Sequence, residues 1–182
     1  MLPVLALALL GWGAYAYRYG IAAWRWHSAH GDVLQLGDYR LSVPQNWYVE
    51  DESSTKQVLI RLDPRAWHDA AFANHLRFTA VINATLRSAE WPKDKFEGEM
   101  KLQADSLKRR GIEPQVRDVD LEGEPLHCLG GQKLSATGSS GYESDPSVWR
   151  CWSAGRLQLD ITAVDPQMPE VWSILSHINS NP

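Results

Sequence analysis

This sequence predicts an α+β domain: a mainly antiparallel β-sheet flanked by helices and preceded by an N-terminal hydrophobic helix. Three observations carry that expectation. Short runs of alternating or β-branched residues group on both sides of one long amphipathic stretch, residues 92–110. Residues 125–163 read as three consecutive antiparallel strands. Residues 1–17, MLPVLALALLGWGAYAY, are apolar until Arg18 ends the run.

At 182 residues the chain is long enough for one domain with a real core. Its net charge of −4 argues against a nucleic-acid partner. Two cysteines without a CxxC and without suitably spaced histidines make no four-ligand zinc site, so neither a metal nor a cofactor is expected.

Residues 1–26 read as a signal peptide or membrane anchor. Ala14-Tyr15-Ala16 fits a small-x-small cleavage pattern. An uncleaved anchor, the preferred reading, would set Tyr15, Tyr17, Tyr19, Trp24 and Trp26 as an aromatic belt at the membrane interface. Arg18 and Arg25 follow the apolar run and no Lys or Arg precedes it, a charge bias that opposes export. Paired cysteines favour export. The expected location is therefore the inner membrane, single-pass with the C-terminal domain in the periplasm, or the periplasm itself if the segment is cleaved. No cysteine follows the run, which excludes a lipoprotein anchor there.

Residues 27–32 read as a polar linker and 33–180 as the domain. Tyr39, Leu41 and Val43 alternate with Arg40 and Ser42 in a half-buried strand that Pro44 ends, and Gln45-Asn46 turns the chain before Trp47. Residues 56–62 form a second strand. Residues 63–74 suggest a short helix or lid, with Asp63 as N-cap and Pro64 at the first helical position. Residues 76–88 form a β-branched third strand. The long helix follows, with Phe96, Met100, Gln103 and Leu107 on one face, Gly111 as its C′ residue and Ile112 making the accompanying contact. Residues 115–121 form a strand, the three-stranded meander comes next, and Pro169 opens a closing helix with Val171 or Trp172, Leu175 and Ile178 inward.

The meander allows a register to be written. Ala154-Gly155 as a two-residue turn sets Trp152 opposite Leu157, Arg150 opposite Leu159 and Val148 opposite Ile161. Trp149 then shares a face with Cys151, Gln158 and Asp160. If the preceding hairpin places Cys128 opposite Cys151, their separation suits a disulfide. Two free buried thiols are the alternative.

The run YRLSVPQNWYV, a strand ending in Pro, then a turn and Trp, resembles the opening motif of the Mog1/PsbP-like fold. The long helix after three strands, the Gly123-Glu124-Pro125 lead into a strand, the meander and the closing helix resemble it too. The likeness spans residues 33–179. It implies a sheet flanked by helices. It also implies protein binding, since members include a nuclear-transport cofactor, photosystem II extrinsic proteins, bacterial lipoproteins and chaperones of secretion effectors. They share no catalytic site, and a shared fold is not a shared function.

His68, Asp69 and His75 allow a metal or acid–base reading, and so a hydrolase or metal-dependent enzyme, but their spacing matches no strong motif. Ser139, Ser140 and Ser144 lack a nucleophile elbow. Gly130-Gly131 within a strand signals a bulge or a close backbone approach. Glu97, Glu99 and Asp105 belong to a solvated helix face. Trp67, Phe72 and Trp149 are the aromatic candidates for a partner-binding surface. The expected class is non-enzymatic: a membrane-anchored binding domain whose partner is another protein. That protein would be a toxin that the chain neutralises as an immunity protein, or a subunit of an envelope or secretion complex that it helps to assemble.

Overall fold

The computed structural model describes residues 7, 10–14, 17–62, 78–90, 92–121, 124–132, 147–153, 155–163 and 167–180. The described elements are three helices and ten strands. The helices are α1 (Arg18–His30), α2 (Lys93–Arg109) and α3 (Met168–Ser176). Strands β1 (Val33–Leu36), β2 (Tyr39–Ser42) and β10 (Asn179–Ser180) form a small sheet in the order β1-β2-β10. The main sheet contains β3 (Trp47–Glu52), β4 (Lys56–Leu62), β5 (Phe78–Leu86), β6 (Gln115–Leu121), β7 (Glu124–Gly131), β8 (Ser147–Ser153) and β9 (Leu157–Ala163). Its order is β3-β4-β5-β9-β8-β7-β6, and every neighbouring pair is antiparallel. The chain is thus α+β with a mainly antiparallel sheet.

Alternation along the strands decides what covers each face. On one face, Val49, Leu59, Ile82, Leu159, Ile161 and Leu126 pack against β1, β2 and α3 in a single buried cluster. The other face carries two separate apolar patches. Tyr48 and Ile60 receive Ala23 from α1. Leu129 and Trp152 receive Leu107 of α2, together with Ile112 beyond it. Between these patches the sheet is polar and half-exposed, with Arg150 paired to Asp160 across β8 and β9.

The stripe on α2 matches its periodicity. Phe96, Met100 and Ala104 are partly buried beside Leu107, and Gln103 is half-buried. Gly111 takes φ +73, a conformation that only glycine enters cheaply, and Ile112 N–H donates to the Leu107 carbonyl at 3.0 Å. The close approach expected at Gly130-Gly131 is present. A Cβ on Gly130 would overlap the Val148 carbonyl and the Trp149 indole, and one on Gly131 would lie 2.6 Å from the Glu113 carbonyl. In α3, Val171, Ile174 and Leu175 are buried and Pro169 sits in the first turn.

Three expectations are corrected. Residues 27–30 are not linker but the last turn of α1, which ends at Gly31 with φ +67. The His27 ring holds that turn to the domain, its Nε2–H donating to the Trp47 carbonyl at 2.8 Å. Trp26 is not an interfacial residue. It stands three positions after Ala23 on the docked face of α1, is 7% exposed, and stacks on His30 at 5.1 Å. The β8–β9 connection is one residue longer than a two-residue turn: Trp152 faces Gln158, Arg150 faces Asp160 and Val148 faces Thr162. Ser153 explains the extra residue, because its hydroxyl accepts the Leu157 N–H at 3.1 Å and Arg87 donates to the Ser153 and Gly155 carbonyls. The slip pairs Trp149 with Ile161 and Cys151 with Leu159, not with Gln158 and Asp160.

Among the described residues no helix is long and apolar enough to cross a membrane. Residues 10–14 are helical, and Tyr17 N–H donates to the Gly13 carbonyl at 3.0 Å, leading into α1. Leu7, Leu10, Tyr17, Ile21 and Trp24 are all exposed. Within α1, Ile21 and Trp24 stand three positions apart and so share one side of the helix.

Candidate functional site

Among the described residues, a built surface lies where strand β6 meets α3. β6 is a terminal strand of the main sheet, and its sequence QVRDVDL is exposed from Gln115 to Asp118. Arg117 on one face and Asp118 and Asp120 on the other keep both faces from being wholly apolar, the pattern of an edge strand. The Arg117 guanidinium lies 4.4 Å from the centre of the Trp172 ring on α3. Trp172 in turn meets the edge of Trp149 on β8, with ring centres 5.0 Å apart and planes at 87°. On one side of this Arg–Trp wall is a groove of about 520 Å³ lined by Gln115, Val116, Trp149 and Met168. On the other is a shallower one of about 350 Å³ lined by Asp118, Val119, Pro169 and Ser173. Val116 is 66% exposed, uncommon for a strand valine in a well-packed sheet.

An ion-pair cluster sets the position of α3, and so of Trp172. Glu170 accepts from Asn46 Nδ2 at 2.9 Å and from Arg61 Nε at 2.5 Å, fastening the first turn of α3 to β4 and to the turn before β3. Partial burial by itself would raise the Glu170 pKa. The donors Asn46 and Arg61 outweigh that effect and hold the carboxyl below its ordinary value. The Trp47 indole N–H adds to the same lowering but falls outside hydrogen-bond geometry, so its share is smaller.

Cys128 and Cys151 stand directly opposite across β7 and β8 and are joined as a disulfide with Cα atoms 4.0 Å apart. Both are fully buried. Cys128 is also the direct partner of Arg117, so the bridge braces the strand on which the candidate edge is laid. Behind that edge, His127 Nδ1 and Asp118 Oδ1 lie 2.8 Å apart, with the Phe96 ring against the imidazole. This half-exposed pair has no hydroxyl or thiol partner among the described residues. Among the described residues no group of three or more His, Cys, Asp or Glu is placed to hold a metal ion.

Of the aromatic candidates, Trp149 is 9% exposed and forms the floor of the groove, not a projecting contact, because the register places it on the core face over its cross-strand partner Gly130. Trp67 and Phe72, with His68, Asp69 and His75, lie outside the described residues, as do Ser139, Ser140, Ser144 and Tyr15. Tyr17 and Trp24 are exposed, and Tyr19 lies on α1. No local sequence pattern marks Arg117, Val116 and Trp172 as one surface. The signal that could have found them is the density of charge in a seven-residue strand, which marks an edge.

No family model matches the chain, and no curated protein matches it. A crystal structure of a protein from Bacteroides thetaiotaomicron VPI-5482 is similar at 11% identity, with a TM-score of 0.39. The similarity covers 84% of this chain and 49% of the other, so the chain spans about half of that protein's length.

Proposed function

We propose that this chain is a non-enzymatic protein-binding domain that works in an oxidising compartment, the periplasm, and is tethered to the membrane through its N-terminal segment. The observation that carries the reading is the β6–α3 surface, an exposed strand edge beside a groove floored and walled by two tryptophans and an arginine. Tryptophan and arginine are the residues most often found to dominate protein interfaces. The buried disulfide supports the compartment, because such bridges persist where thiols are not kept reduced. The exposed side chains of Leu7, Leu10, Tyr17, Ile21 and Trp24 support the tether.

The arrangement of strands around one long helix, with the strand–Pro–turn–Trp opening at Tyr39 to Trp47, favours placing the domain with Mog1/PsbP-like proteins. Within that reading the partner is a protein, and a toxin neutralised at the envelope is the subtype we favour. A role in assembling an envelope or secretion complex is the second reading, suggested by the same tether.

The test is affinity capture from membranes of the native host with the full chain, alongside Arg117→Ala and Trp172→Ala variants. The expected result is one stoichiometric partner retained by the wild type and lost by both variants. Equal recovery with all three would refute the assignment of the surface. Recovery of a multi-subunit envelope machine in place of a single partner would replace the toxin reading with the assembly one.

A further inference from the structure

The β6 edge carries more specific information than its exposure, because the direction of its backbone groups can be worked out. In antiparallel sheets, directly opposed residues alternate between wide pairs that exchange hydrogen bonds and narrow pairs that do not, with Cα separations of about 5.5 and 4.5 Å. Cys128 and Cys151, at 4.0 Å, are a narrow pair. The Cys128 N–H and C=O therefore point away from β8 and towards β6, where the opposed residue is Arg117. The same alternation is seen independently at the other end of the meander. There Arg87 N–H donates to the Arg156 carbonyl at 2.9 Å, in phase with the Asn83–Asp160 pair. It follows that Gln115, Arg117 and Val119 bond to β7. Val116, Asp118 and Asp120 turn their N–H and C=O groups outward, and no described strand pairs with them.

The two edges of the sheet are treated differently. At β3, the pairing with β4 is interrupted by a bulge between Val49 and Asp51, and the Trp47 carbonyl is taken by His27 of α1. Both are ordinary means of closing an edge. Among the described residues β6 meets neither, and it carries only charges. These charges select among occupants. Opposed residues in an antiparallel pair share a face, so a second copy could pair two-fold only about a residue of β6. Centring on Arg117, Asp118 or Asp120 sets like charges against each other. Centring on Val119 sets Asp118 against Asp120, and centring on Val116 sets Asp118 against Pro114, which has no N–H. The edge is arranged against itself.

We propose, resting on the interface reading above, that β6 is a strand-addition site for an extended segment of the partner protein. That segment carries basic side chains opposite Asp118 and Asp120 and an apolar one opposite Val116. Its intervening side chains fall on the face of Arg117 and enter the groove against Trp149 and Trp172. Main-chain pairing supplies affinity, and the alternating side chains supply selection.

The test uses the full chain in detergent micelles with short synthetic peptides: alternating lysine and valine, alternating glutamate and valine, and the lysine peptide with a central proline. The lysine peptide is expected to bind about ten-fold or more tighter than the other two. Val116→Pro removes one outward donor and no bond to β7, so it should keep the melting temperature and weaken the lysine peptide about ten-fold. The Asp118→Lys/Asp120→Lys double variant should reverse the charge preference. Hydrogen exchange gives a signature that simple charge attraction cannot: on binding, the amides of Val116, Asp118 and Asp120 slow, and those of Arg117 and Val119 do not change. Equal binding of lysine and glutamate peptides, or an unchanged affinity in Val116→Pro, overturns strand addition. If Val116→Pro still captures the native partner while Arg117→Ala and Trp172→Ala lose it, the interface stands and only the strand-addition mode falls.

Discussion

Breaking the Cys128–Cys151 bridge is the perturbation with the best-defined size. The bridge spans a sequence separation of 23. The loop-entropy relation for a cross-link of that span gives about 3.4 kcal/mol at 25 °C, held as a constraint on the unfolded chain. For a chain of this size each kcal/mol moves the midpoint by about 2–4 °C, so the Cys128→Ala/Cys151→Ala variant should melt about 7–14 °C lower. The choice of assay follows from burial. Both cysteines are fully covered, so reductant reaches them only through opened molecules, and adding it to the native protein tests opening before it tests stability. Urea unfolding of the oxidised protein against the double variant is the cleaner comparison. The midpoint should fall and the slope should rise, because the uncross-linked chain expands further and exposes more surface. Coincident curves, or a loss below about 1 kcal/mol, would refute the argument and show that the β7–β8 ladder already restrains the unfolded state.

Three further outcomes are expected. Glu170→Gln should flatten the acid limb of stability: a lowered native pKa means the unfolded state binds more protons just below the ordinary carboxylate value, so the Glu170 contribution is present above that value and lost as pH falls through the native one, which acid titration of unfolding will show. Trp26→Ala should release α1 more than it lowers global stability, and limited proteolysis at Arg18 and Arg25 should accelerate while amides of β8 and β9 stay protected. Gly130→Ala should cost about 1–3 kcal/mol in urea unfolding, since the added methyl meets the Val148 backbone and the Trp149 ring across the strand.

The parts of this fold that could be read from sequence are those governed by local rules. The stripe on α2, the glycine that ends it, the proline in the first turn of α3 and the opposition of Cys128 to Cys151 all follow from helical spacing, backbone freedom or strand alternation. The misread parts needed a contact between distant residues. Ala154-Gly155 is a good two-residue turn on its own. What lengthens the connection is the Ser153 hydroxyl taking the Leu157 N–H, together with Arg87, far away in sequence, gathering the Ser153 and Gly155 carbonyls. Trp26 belongs with the aromatic residues around it until the helix is docked, and only then is it separated from Trp24 by facing the core. The candidate surface joins β6 to Trp172, residues that no local pattern connects, so charge in the strand was the only sequence signal available.

The docking of α1 has a mechanical consequence. Because its last turn is tied to the Trp47 carbonyl and its face is pressed onto Tyr48 and Ile60, the helix meets the sheet at the β3 end. β6 lies six strand spacings away, which at about 4.8 Å each is roughly 29 Å across the molecule. On the proposed tether, α1 is therefore the handle of a lever, at the opposite end of the sheet from the candidate edge. A restraint applied at α1 reaches β6 through the whole width of the hydrogen-bonded sheet, so the helix and the far strand act as the two ends of one arm.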